Sequence, residues 1–389
     1  VTPALKKNTA AGGGRTEFEK EGCSMGKMKL MLFSGFLGSG KTTTMIETAK
    51  YLEERGVKAA LITNDLGCNM IDSLYAEKSG IPSAEIPNGC LCHDVEGFVA
   101  ALRQVTERYA PDVIFAEPVG SCVDLVRSVY CRLNADYAGQ YELLPFVAVT
   151  DPRRYRTIFL APEENTFNAE ATYMYRKQLE DADIILLNKC DLISGEERAA
   201  VEASLKKEFP SAQVIPVCAF SRENYGRWTA AFLRGQAPSL RELDINWDYL
   251  IAGEEHMGWY NNVLRLSAPE VKDFNAVLDF LMKELQRAFA GAGTEIAHLK
   301  IMCYTGRDFA KAALTGTAQP VFFSERMNAR HRWVDCNINA RVIAKPEDIS
   351  RIIGAALEKT AAACGVSYTD MEEQSFGSFS EAPAPVSVR

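Results

Sequence analysis

Nowhere in the 389 residues does an apolar run approach the roughly 18 residues that a bilayer-spanning helix requires, so no membrane span is expected. The opening residues also lack the continuous apolar stretch of a secretory signal, and a cytoplasmic location is expected. Positive charge is short: 43 Lys and Arg stand against 51 Asp and Glu, a formal net charge of −8 at pH 7. Neutralising a phosphate backbone needs a basic face, which disfavours a general nucleic-acid binder. Histidine is scarce and dispersed, at His93, His256, His298 and His331, which does not suit a metal store. Cysteine is plentiful, but 11 is an odd count and no export signal accompanies it, so reduced thiols are expected. Most of them, such as Cys131, Cys303, Cys336 and Cys364, stand alone and read as small core side chains.

With 47% hydrophobic, 10% aromatic and 24% charged residues the composition is that of an ordinary globular protein. The length predicts about two or three domains. Residues 1–27, rich in Gly, Ala, Lys and Thr and without periodicity, are expected to form a disordered leader, with Met25 and Met28 as alternative starts. From Met28 onward, apolar runs at 30–34, 57–63, 112–116, 144–150, 183–187 and 214–217 alternate with helix-like segments. This alternation predicts an α/β fold with a mostly parallel sheet flanked by helices over 28–234. A polar stretch at 235–257 reads as a linker. A smaller α+β domain is expected over 258–366, with strands near 262–266, 296–304, 320–324 and 332–342, a helix over 271–288 and another after Pro346. Residues 367–389, rich in Ser, Glu, Pro and Ala, read as a disordered tail.

The run Gly35-Phe36-Leu37-Gly38-Ser39-Gly40-Lys41-Thr42-Thr43 follows the first apolar strand and opens a helix, the setting a phosphate-binding loop requires. Its glycines let successive backbone N–H groups converge on phosphates, Lys41 reaches the terminal phosphates and the Thr42 hydroxyl suits Mg²⁺. Asn188-Lys189-Cys190-Asp191 ends a later strand and reads as a guanine-specificity segment, because a carboxylate at Asp191 accepts from both N1–H and the 2-amino group of guanine. GTP and GDP are therefore favoured over adenine nucleotides, and the backbone N–H of Ala219, after the next strand, is a candidate partner for the guanine O6. Two loops are candidate γ-phosphate sensors. Glu117-Pro118-Val119-Gly120 offers a carboxylate to Mg²⁺ or the attacking water and a backbone N–H at Gly120, while Asn64-Asp65-Leu66-Gly67, followed by Asp72, offers a second carboxylate at Asp65.

Between these loops lies Gly89-Cys90-Leu91-Cys92-His93-Asp94. Two thiols and an imidazole within four residues form a candidate transition-metal site, and the soft donors suit Zn²⁺ or Co²⁺ better than Mg²⁺. If Asp94 caps the helix that follows, both thiols sit near its N-terminus, which favours the thiolate. Cys68 and Cys122, each near a candidate switch, are further ligand candidates.

Taken together, G-F-L-G-S-G-K-T-T, the G-C-x-C segment, E-P-V-G and N-K-C-D resemble the CobW-like GTPases, SIMIBI-class P-loop proteins related to HypB and UreG. The resemblance spans 28 to about 234 and extends more loosely to the C-terminal unit. It implies a slow, Mg²⁺-dependent GTPase that delivers a metal or cobalamin-related cofactor to a client metalloprotein or corrinoid-dependent enzyme, and it also implies a homodimer. The run Ile62-Thr63-Asn64-Asp65, with Glu117-Pro118-Val119-Gly120-Ser121-Cys122, is similar to the branch associated with corrinoid-dependent methyltransferases. In one respect the chain departs from the family pattern: His93 stands where Cys-x-Cys-Cys has its last cysteine. A GTP-gated interaction protein with purely structural thiols is the competing reading. A P-loop kinase for a small molecule is disfavoured by the Asn188 to Asp191 segment.

Overall fold

The computed structural model describes residues 27–64, 71–86, 89–233 and 237–377. Of the expected leader only Lys27 is included, and Asp65, Gly67 and Cys68 lie outside the described residues, as does 378–389 of the expected tail.

The N-terminal body contains β1 (Met28–Ser34), α1 (Lys41–Glu53), β2 (Ala59–Thr63), α2 (Ile71–Lys78), β3 (Ser83–Glu85), α3 (Val95–Tyr109), β4 (Val113–Ala116) and α4 (Arg132–Tyr137). It continues through β5 (Tyr141–Leu143), β6 (Val147–Thr150), α5 (Pro152–Tyr155), α6 (Ala169–Glu180), β7 (Ile184–Leu187), α7 (Gly195–Glu208), β8 (Gln213–Pro216) and α8 (Tyr225–Leu233). The strands pair in parallel in the order β3-β2-β4-β1-β6-β7-β8, with β5 also joining β1. Helices cover both faces, so the central strands are buried end to end and read as unbroken apolar runs. Within β1 the two-residue period sends Leu30 and Leu32 into one core layer and Met31 and Phe33 into the other. The phosphate-loop sequence leaves the carboxyl end of β1, where the strand order turns outward in both directions. Open α/β sheets bind ligands at that point. The six expected runs correspond to β1, β2, β4, β6, β7 and β8, whereas β3 and β5, three residues each, are too short to show a pattern.

Before the C-terminal body comes α9 (Trp247–Glu255), a helix inside the segment expected to be a linker, which packs on α6 of the N-terminal body through Leu250 and Tyr249. Asn246 caps it, accepting from the Tyr249 N–H at 3.1 Å. Next come β9 (Gly258–Lys272), α10 (Phe274–Gly291), β10 (Ile296–Thr305), β11 (Asp308–Leu314), β12 (Phe322–Glu325), β13 (His331–Val342), α11 (Pro346–Cys364) and β14 (Ser367–Gly377). The strands form an antiparallel sheet in the order β12-β11-β10-β13-β9-β14. Alternation along β10 gives the sheet two partners: Leu299, Ile301 and Cys303 join the core with α10 and α11, while Met302 and Tyr304 pack with Tyr75 and Phe309 against the N-terminal body.

Two expectations are corrected here. A disordered tail from 367 is replaced at its start by β14, which pairs with β9 from Ser367 opposite Ser267 to Gly377 opposite Gly258. Its polar side chains stay largely exposed, so the strand is held by backbone pairing that composition does not reveal. Cys303 and Cys336, expected to be solitary reduced thiols, face each other across β10 and β13 and form a disulfide.

Candidate functional site

The phosphate loop is shaped by its glycines. Gly40 has φ 96°, and a Cβ there would fall 2.5 Å from the Asn188 Nδ2. A side chain would break the stitch that Asn188 makes to the loop. Lys41 opens α1, and its ammonium donates to the Gly35 carbonyl at 2.7 Å, folded across the mouth of the loop. The Ser39 hydroxyl is buried without a hydrogen-bond partner among the described residues, an orphan donor inside the cradle that a phosphate oxygen would satisfy.

Thr42, in the first turn of α1, and Glu117, just after β4, meet: the Thr42 hydroxyl donates to Glu117 Oε1 at 2.7 Å. Glu117 is only 3% exposed. Burial and the nearby Asp72 push its carboxyl up to about 7, against the pull of Lys41 and of the Thr42 hydrogen bond. A buried carboxyl beside a hydroxyl is a hard oxygen donor pair, which fits Mg²⁺. Gly120, on the same loop, approaches so closely that a Cβ would lie 2.5 Å from Leu37 Cδ2 and 3.3 Å from Lys41 Nζ. Thr43, Lys41, Thr42, Glu117 and Gly120 all line one cleft.

The guanine-segment residues split into two groups. Asn188 donates through Nδ2 to the Ser39 carbonyl at 3.1 Å and accepts from the Ala219 N–H at 3.1 Å, tying the phosphate loop to the segment after β8. Lys189, at φ 59°, lays its ammonium on the Gly38 carbonyl and on Asp151, both at 2.7 Å. Asp191 is exposed and lines the rim of the cleft with Ala219 and Phe220.

The thiol cluster differs from the expected one. Cys90, Cys92 and Cys122 hold their sulfurs within 4.8 Å of one another, at 2.7 Å for Cys90 to Cys122, 2.7 Å for Cys90 to Cys92 and 3.5 Å for Cys92 to Cys122. His93 is not part of this trio: its ring is exposed, with Nδ1 at 3.7 Å from the Cys92 sulfur. The cause is local. The chain turns after Cys90, whose carbonyl accepts from the N–H groups of His93 and Asp94, and His93 sits on the exposed side of this turn. Asp94 does cap α3, accepting from the Gly97 N–H at 2.8 Å. Burial opposes the Cys90 thiolate, but hydrogen bonds from Cys122 and Cys92 outweigh it and hold that thiol well below the usual range. The Cys122 thiol is raised, first by its bond to Cys90. Val119, Trp259 and Phe376 wall the cluster, and Glu254 of α9 stands nearby, its carboxyl pushed up to about 7 by burial and by Cys90 against a hydrogen bond from Ser121.

Both thiol-bearing segments connect to the cleft. Asn64, which lines the cleft, donates to the Gly89 carbonyl at 2.6 Å and accepts from the Leu91 N–H at 3.1 Å, bracketing Cys90. Cys122 follows Glu117 and Gly120 on one loop, and Gln178 fastens that loop by donating to the carbonyls of Gly120 and Cys122, each at 3.0 Å.

A strand, a glycine-rich loop closing on a lysine and a helix, with a buried acid opposite the loop's threonine, define a P-loop nucleotide-binding protein. Residues 29–216 match the sequence model of the CobW/HypB/UreG nucleotide-binding domain, so this part of the chain is a CobW-like nucleotide-binding domain. Among solved structures, the chain is similar to HypB from Archaeoglobus fulgidus at 20% identity, covering 54% of this chain and 89% of that one, with a TM-score of 0.37. It is similar to HypB from Helicobacter pylori in complex with nickel at 17% identity, covering 56% and 92%, with a TM-score of 0.40. The Zn(II)-bound YjiA GTPase from E. coli matches at 16% identity over 85% of this chain and 99% of that one, with a TM-score of 0.37.

Proposed function

We propose that the protein is a Mg²⁺-dependent GTPase that uses its nucleotide state to bind and release a transition metal, Zn²⁺ or Co²⁺, for delivery to a client metalloprotein. The carrying observation is that Asn64, which lines the cleft, brackets Cys90 with two hydrogen bonds, while Cys122 shares a loop with Glu117. Asp191 would read guanine, the Ala219 N–H being engaged by the Asn188 side chain, and Lys41 with the loop amides would hold the phosphates. Thr42 and Glu117 would hold Mg²⁺, which supplies charge neutralisation between the phosphates. The Glu117 carboxylate would also orient the attacking water or accept a proton from it.

Three thiol ligands leave a tetrahedral metal one open position, the arrangement of a site that exchanges a ligand and not of a closed structural site. Such openness suits transfer to a client. The similarity of 62–65 and 117–122 to the corrinoid-associated branch makes a corrinoid-dependent enzyme the client class of choice.

Glu117→Gln should keep GTP binding and slow single-turnover hydrolysis by about a hundredfold, the scale of a lost proton-transfer group. Filter binding and phosphate release on the same preparation measure both. No hydrolysis by the unsubstituted protein, or equal loss of binding in the variant, would overturn the assignment.

A further inference from the structure

We propose that Lys300 and Lys311 of the C-terminal sheet bind the terminal phosphate of GTP, so that the triphosphate, and not the diphosphate, clamps the two bodies of the chain together. The proposal rests on the reading of the cleft as a guanine-nucleotide site.

The placement follows from strand geometry. Lys300 on β10 and Lys311 on β11 point to the face of the sheet turned toward the N-terminal body, because their neighbours Leu299, Ile301, Ala310 and Ala312 fill the opposite face against α10 and α11. The register sets Lys300 opposite Ala313 and Met302 opposite Lys311, making the lysines diagonal neighbours. Both line the cleft together with Lys41, Thr42 and Glu117.

In this structure the two ammonium groups converge on one carboxylate across the boundary between the bodies. Lys300 Nζ lies 2.6 Å from Asp72 Oδ2, and Lys311 Nζ lies 3.9 Å from Asp72 Oδ1, an oxygen with no hydrogen-bond partner among the described residues. The side chains of Lys300 and Lys311 are only 17% and 7% exposed. Burial, with the neighbouring Lys300 charge, pushes Lys311 down to about 8 against the pull of Asp72, Glu117 and Glu325. A γ-phosphate carries more charge and more acceptor oxygens than Asp72 and would compete for both lysines.

The sheet is fixed against the phosphate loop well enough to aim them. The Arg154 guanidinium donates to the Leu37 carbonyl of the loop and to the Ala297 and Thr315 carbonyls beside β10 and β11. At the base end of the cleft, Phe220 and Phe322, one from each body, hold their rings 5.5 Å apart. Nucleotide therefore meets both bodies at both ends.

The test compares the affinity for Mg²⁺-GDP with that for a non-hydrolysable Mg²⁺-GTP analogue in three proteins: unsubstituted, Lys300→Ala with Lys311→Ala, and Asp72→Asn. The double variant should lose at least about tenfold in analogue affinity, the effect of removing a charged hydrogen-bond partner, with GDP affinity changed less than about twofold. Asp72→Asn removes the competing carboxylate and should tighten the analogue several-fold, a gain that misfolding does not produce. Parallel changes for both nucleotides in the double variant, or weaker analogue binding in Asp72→Asn, would overturn the proposal. Absence of GDP and analogue binding to the unsubstituted protein would instead remove the nucleotide reading on which it rests.

Discussion

Asp191→Asn should exchange the nucleotide preference of the protein, losing GTP affinity by about a hundredfold and gaining affinity for xanthosine triphosphate. Asp191 stands at the cleft rim without a part in the scaffold that Asn188 and Lys189 build, so the substitution changes recognition while the phosphate loop keeps its ties to Ser39 and Gly38. Its carboxylate would accept from two guanine donors, and hydrogen bonds to charged groups contribute about 1.5–3 kcal/mol each. An amide accepts only once and faces a donor with its NH₂, a mismatch that the C2 carbonyl of xanthine relieves. Competition titrations with GTP, ATP and xanthosine triphosphate measure the exchange. Unchanged GTP affinity would remove the guanine assignment.

Cys122→Ser should weaken Zn²⁺ or Co²⁺ binding by more than about a hundredfold, as severely as Cys90→Ser or Cys92→Ser. Losing even an outer-shell partner lowers metal affinity by about 10- to 100-fold, so losing one of three thiolates should exceed that range. His93→Ala should change affinity only a few-fold, because its exposed ring reaches only the Cys92 sulfur, at 3.7 Å, and lies outside the trio of sulfurs. Chelator competition against each variant gives the ranking. A larger loss for His93→Ala than for Cys122→Ser would restore the contiguous Cys-x-Cys-His site expected from the sequence and refute the three-thiol one.

The phosphate loop is legible in the sequence because its physics is local: glycines, a lysine and a threonine act within one turn between a strand and a helix. The end-to-end burial of β2, β4, β6 and β7 is legible for the same reason, as unbroken apolar runs. The third thiol is not, since Cys122 joins Cys90 across 32 residues through the fold and only its position five residues after Glu117 hints at it. The nearer histidine is the natural guess until the fold brings Cys122 to the other two thiols and leaves the histidine exposed. Lys300 and Lys311 carry no motif at all. Their meeting at Asp72 depends on which face of an antiparallel sheet is turned toward α2, a choice made by the apolar residues between them. The same holds for Cys303 and Cys336, solitary in sequence and paired by register.

Coupling between nucleotide and metal is the centre of the account, because Asn64 and the loop from Glu117 to Cys122 serve both sites. The most direct measurement is a pair of Zn²⁺ titrations, one into the GDP-bound protein and one into the protein bound to a non-hydrolysable GTP analogue. Metal affinity should differ between the two states, and metal should shift the affinity for the analogue relative to GDP by the same factor, as linkage requires. Identical Zn²⁺ isotherms in the two states would contradict the account.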